Sequence, residues 1–124
     1  MKSILFVFLG GGLGSVLRFL ISKWASNNYA GNFPMGTFSA NLIACFLLGL
    51  IVSALGSRFG LEENYRHLWI IGFCGGFSTF STFSSETLSL FQSNQQLLAV
   101  AYVLVSVAAC VSLLLIGLWL GQKI

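Results

Sequence analysis

A chain of 124 residues in which 56% are hydrophobic and only 7% charged cannot clothe itself in a water-facing surface, for which about 25% charged residues is usual. It reads as an all-α integral membrane protein, and because one span takes about 20 residues, four spans fill the chain as a single membrane domain over 1–124. The net charge of +3 rests on too few groups to track a phosphate backbone, which excludes nucleic acid and leaves Lys and Arg as anchors near helix ends.

The first helix is predicted from about Ser3 to Trp24. Met1 to Leu9 resembles the start of a signal peptide, but the glycine cluster, Arg18 and the later spans favour a retained helix. Gly10-Gly11-Gly12-Leu13-Gly14-Ser15 lacks the third glycine or alanine of a dinucleotide fingerprint. Gly10 with Gly14, and Gly11 with Ser15, instead form small-xxx-small pairs that admit another helix at close range. Arg18 lies inside the far end, where a cation either snorkels to the interface or faces an aqueous cavity and attracts anions.

Phe33-Pro34 closes a polar connector, and a second helix follows from about Met35 to Leu55. Asn41 is its deepest polar group. Its amide must find a partner or line water, either by donating to an anion or by joining two helices. Ser57 to His67 carries Arg58, Glu62, Glu63, Arg66 and His67 and reads as an exposed loop with room for a helical turn. The third helix is expected from about Leu68 to Phe91 and the fourth from about Leu97 to Leu120, the latter marked by Tyr102, Ser106 and Ser112. Trp24, Trp69 and Trp119 fall near helix ends, as interfacial anchors do. Cys45, Cys74 and Cys110 lie in separate apolar segments without the spacing of a metal site and read as small buried hydrophobes.

Gly72 to Glu86, GFCGGFSTFSTFSSE, is the stretch around which the rest is organised. Phe77, Phe80 and Phe83 recur every third residue with hydroxyls between them, so on a continuous helix the rings would fan over roughly 120° of one face. Gly75 and Gly76 weaken the helix by about 1 kcal/mol each, and neighbouring hydroxyls can satisfy backbone groups freed by an interruption. A helix broken near its centre is expected.

Gly11-Gly12-x-Gly14-Ser15-x-x-Arg18-Phe19, Pro34-x-Gly36-Thr37-x-x-x-Asn41 and Gly72-Phe73-x-Gly75-Gly76-Phe77-Ser78-Thr79-Phe80-Ser81-Thr82-Phe83 together resemble the small fluoride channels of the Fluc (CrcB) family. Ser15, Ala44 and Ser78 are mild departures, standing where alanine, glycine and threonine are common. The resemblance implies a homodimer of four-helix subunits inserted antiparallel in the inner (plasma) membrane, giving passive fluoride efflux. It implies Phe80 and Phe83 as pore-lining rings, Asn41 near a pathway end, and Ser81, Thr82, Tyr102 and Ser106 as a polar track opposite the rings. It also implies a structural sodium ion at the break, held by backbone carbonyls of Gly75 and Ser78 from both subunits, with no organic cofactor. Arg18 and Glu86 would be vestibule or interface charges.

The physical reading is compatible with this. Fluoride is small and strongly hydrated, so leaving water requires close hydrogen-bond donors or positive partial charge, which hydroxyls, an amide and phenyl ring edges offer. A fixed Lys or Arg would trap the ion, whereas conduction needs sites that attract and release. A four-helix multidrug or cation exporter is the nearest alternative, but it needs an intramembrane carboxylate, and Glu86 is the one acid within a predicted span. A membrane subunit that only packs against partners is the other. No arrangement of nucleophile, base or paired carboxylates points to an enzyme.

Overall fold

A computed structural model describes residues 1–58 and 63–124. Every element among them is helical: α1 (Lys2–Asn28), α2 (Met35–Arg58), a short α3 (Glu63–Tyr65) leading into a π-helical stretch (Arg66–Cys74), α4 (Gly75–Phe77), α5 (Phe80–Gln92) and α6 (Gln96–Gly121). Positions 59–62, in the segment expected to be an exposed charged loop, lie outside the described residues.

Among the described residues α1, Met35–Ala54 of α2, and α6 are each long and apolar enough to cross a membrane. Their outward faces carry large apolar side chains, Phe8 and Leu97 among the most exposed, as lipid contact requires. Lys123 places its ammonium 3.5 Å from the centre of the exposed Trp119 ring at the end of α6, a cation-π pair suited to a membrane interface.

Boundaries differ from expectation where side chains satisfy terminal carbonyls. α1 continues past Trp24 because Asn28 Nδ2 donates to the Trp24 carbonyl at 2.8 Å and Ser26 Oγ to that of Ser22 at 2.9 Å. α5 stops where Asn94 adopts φ 59°, with Gln95 N–H donating to Leu90 O at 2.9 Å and Asn94 N–H to Phe91 O at 3.2 Å. This pair of bonds around a left-handed residue is a Schellman ending, and asparagine tolerates that conformation.

Glycines set the close contacts. A Cβ on Gly14 would collide with the Phe73 carbonyl, and one on Gly76 with that of Gly11, so α1 meets the π-helical stretch and α4 backbone to backbone. Gly49 against the Leu114 carbonyl, and Gly117 against that of Phe46, do the same between α2 and α6. Further along, Gly121 meets Leu50, Ser53 and Ala54 as Gly49 meets Leu114 and Leu118, so the positions rise together and α2 and α6 run side by side in the same direction.

The interruption does not fall on the glycines. Gly75 and Gly76 stay helical, Gly76 because it is held against α1, and the chain leaves the helix at Ser78 (ψ 155°) and Thr79 (φ −148°, ψ 119°). The single face predicted for Phe77, Phe80 and Phe83 is therefore not formed. Phe77, before the break, is fully buried with Ala40, Ala44, Phe73 and Cys74, whereas Phe80, after it, is 79% exposed.

Candidate functional site

Two extended residues in an apolar setting free backbone groups that must be paired. Asn41 pairs those of Thr79: its Oδ1 accepts from the Thr79 N–H at 2.8 Å and its Nδ2 donates to the Thr79 carbonyl at 3.3 Å. A continuing helix would have directed that N–H to the Gly75 carbonyl instead. Ser78 folds back, with its N–H and Oγ both donating to the Cys74 carbonyl at 3.0 Å. Thr79 then caps α5, its Oγ1 accepting from the Thr82 N–H at 3.3 Å and donating to Thr82 Oγ1 at 3.1 Å. The two uses open to Asn41 in the sequence are thus partly resolved. It joins α2 to the break, and one amide hydrogen remains available.

Beside this junction lies a cavity of about 230 Å³ that Asn41, Ser78, Phe80, Phe83 and Ser106 line, together with Cys45, Thr79, Val107 and Cys110. Phe80 and Phe83 stand with ring centres 5.8 Å apart, and Phe83 packs on the Tyr102 ring at 5.0 Å. Ser106 Oγ is buried against the cavity with no hydrogen-bond partner.

A second, more polar cavity of about 260 Å³ lies between α1, α2 and α5, where Thr37, Thr82 and Glu86 are among its lining residues. Glu86 is the centre of a bridge across three helices. Thr37 Oγ1 donates to its Oε1 at 2.7 Å and Tyr102 OH donates to its Oε2 at 2.8 Å, with Thr37 and Tyr102 themselves buried. Through these two bonds one carboxyl group ties α2, α5 and α6 together.

The predicted site residues therefore divide. Asn41, Ser78, Phe80, Phe83 and Ser106 share the first cavity, and Thr82 and Glu86 the second. Tyr102 connects them, its ring on Phe83 and its hydroxyl on Glu86. Ser81 is exposed next to the cap, with its Oγ 3.4 Å from Thr79 Oγ1, and Gly75 is exposed beside the break. Arg18 is half-buried on α1 and lines neither cavity. Thr79 and Thr37 were not among the predicted site residues. Thr37 had a visible signal, since it lies one helical turn from Asn41 and shares its face.

Over residues 5–118 the chain matches the family described as CrcB-like protein, Camphor Resistance (CrcB). Proteins named fluoride-specific ion channel FluC are similar to it along nearly their whole length. That of Phocaeicola vulgatus is 41% identical over 122 residues, 98% of this chain and 100% of its own. Those of Leptospira interrogans and Hahella chejuensis are 39% and 41% identical, covering 96% and 98% of this chain and 94% and 95% of theirs. A match of that extent on a helical membrane protein leaves one assignment: this chain belongs to the CrcB-like family.

Proposed function

We propose that the protein is a fluoride-selective channel that lets fluoride leave the cell passively and so lowers its cytoplasmic level. The observation that carries the reading is the pairing of an exposed Phe80 ring with an anchored amide, Asn41, at the rim of one cavity in a chain whose full-length relatives are named fluoride channels. Neutral hydrogen fluoride crosses membranes and releases its proton in a less acidic interior, and a passive anion pathway then returns fluoride down its gradient.

The cavity's chemistry suits that ion. Phenyl edges carry positive partial charge, α5 begins at Phe80 with the positive end of its dipole, and the remaining Asn41 hydrogen and the Ser106 hydroxyl are donors. Among the described residues no fixed cation lines the cavity, so an ion entering it is attracted without being trapped. Glu86 does not suit the exchange site of a cation exporter, because both its oxygens already accept from Thr37 and Tyr102.

The working unit in this reading is an antiparallel homodimer of four-span subunits in the inner membrane, with the broken segment from α3 to α5 as the third span. An exposed Phe80 and the exposed Ser81, Ser84 and Ser85 on α5 are the surface a second copy would cover. The backbone at the break also fits a sodium ion. The Thr79 N–H that a continuing helix would give to the Gly75 carbonyl goes to Asn41, Ser78 is extended, and a Cβ on Gly75 would meet nothing within 4 Å. Carbonyls of Gly75 and Ser78 would hold the ion, which when bound supplies positive charge and ties the break together.

Liposomes containing this chain alone test the function. Fluoride should leave down its own gradient while chloride is retained, and no proton gradient should be needed. Flux that requires a proton gradient, or equal passage of chloride, would refute it.

A further inference from the structure

The seam between α2 and α6 has a constant register. It pairs Thr37 with Tyr102 through Glu86 and places Asn41 with Ser106, and Cys45 with Cys110, on the wall of one cavity. Each residue follows the previous one by one helical turn, so the polar column along both helices ends in a pair of thiols. Both cysteines are free and half-buried, and both line the cavity that holds Phe80 and Phe83. One turn further on, Gly49 and Leu114 bring the two backbones together and fix the spacing of the thiols. The Ser106 hydroxyl, only 5% exposed and without a partner, lines the same cavity.

We infer that Cys45 and Cys110 form a binding site for a soft divalent cation that two thiolates satisfy, with mercury(II) as the representative ion. Each thiol releases its proton to water, two sulfur–metal bonds form, and no electron is transferred. The two thiolate charges cancel that of the ion, so the product is neutral, as an apolar cavity requires. A monovalent copper or silver ion on the same thiolates would leave a net negative charge there. Zinc seeks four protein ligands or three with an open position. Among the described residues no cluster of His, Cys, Asp and Glu provides even three. Soft sulfur donors reject the hard cations that carbonyl oxygens hold.

Cys74 provides the internal control. It is buried and shares a different cavity with Cys45, so a bridge between those two is the competing arrangement. The purified chain is titrated with mercuric chloride while the ultraviolet sulfur-to-metal charge-transfer absorption and the remaining free thiols are measured. One equivalent per chain should saturate the band and remove two thiols. The band should persist in Cys74→Ala and disappear in Cys45→Ala and in Cys110→Ala, with the serine variants giving the same result where an alanine variant does not fold. A band that survives Cys110→Ala, or is lost in Cys74→Ala, would overturn the site. An inhibition arm rests on the proposed function. Mercury(II) should stop fluoride flux in wild-type liposomes and a dithiol chelator should restore it. Binding with the expected variant pattern but without inhibition would count against the cavity as the fluoride pathway and would leave the metal site standing.

Discussion

Asn41 holds both backbone groups of Thr79, accepting from its N–H at 2.8 Å and donating to its carbonyl at 3.3 Å. One side chain on α2 thereby fixes the conformation of the break and the direction in which α5 leaves it. Asn41→Ala would leave the Thr79 N–H without a partner at a buried position, at a cost of about 1–3 kcal/mol. Thermal unfolding in detergent should show a clearly lower midpoint, and fluoride flux should fall as the cavity loses its shape. An unchanged midpoint would mean that the break is held by something else.

The Glu86 bridge gives a graded expectation. Glu86→Gln keeps an acceptor for Tyr102 OH and turns an amide hydrogen toward Thr37 Oγ1, which can accept, so the loss should stay near 1 kcal/mol. Glu86→Ala strands two buried hydroxyls and should be clearly worse. Thr37→Val and Tyr102→Phe share one partner, so a double-mutant cycle should give a coupling of about 0.5–3 kcal/mol. Strict additivity would show that the bridge does not act as a unit.

Two glycines of one cluster should behave oppositely. A Cβ on Gly14 would strike the Phe73 carbonyl, while one on Gly12 meets nothing within 4 Å. Gly14→Ala should separate α1 from the broken segment and lower the yield of folded protein. Gly12→Ala should be tolerated and should favour the helix by about 1 kcal/mol. Equal behaviour of the two in a thermal melt would argue against backbone contact at Gly14.

How much of this was legible in the sequence depended on how local its cause was. Gly10, Gly11, Gly14 and Ser15 announced a close helix approach by their spacing, and the structure has it, with Ser15 Oγ 3.4 Å from the Gly76 carbonyl. Composition gave the all-helical membrane class. The site of the break was less clear, because Gly75 and Gly76 have weak helical preference but are required helical for packing, whereas Thr79 is drawn out of the helix by Asn41, far away in sequence. The phenylalanine repeat misled for the same reason: period three implies one face only while the helix continues. Partnerships such as Glu86 with Thr37 and Tyr102, or the meeting of Cys45 and Cys110 on one cavity, depend on the register of packed helices, which single-helix periodicity does not contain.

Phe80 decides the central question, how the ion is received. Because it is 79% exposed in the single chain, Phe80→Ile removes little packing from the fold, and it keeps apolar bulk while abolishing the positive ring edge. Phe83→Ile loses its contact with Tyr102 as well, and substitution of Phe77, fully buried before the break, is expected to act through folding. The measurement is fluoride release from liposomes holding equal amounts of wild-type or Phe80→Ile protein, each first checked for the same assembled size. Rapid release is expected of the wild type, and release at the rate of protein-free liposomes of Phe80→Ile. Wild-type release from well-assembled Phe80→Ile protein would contradict it.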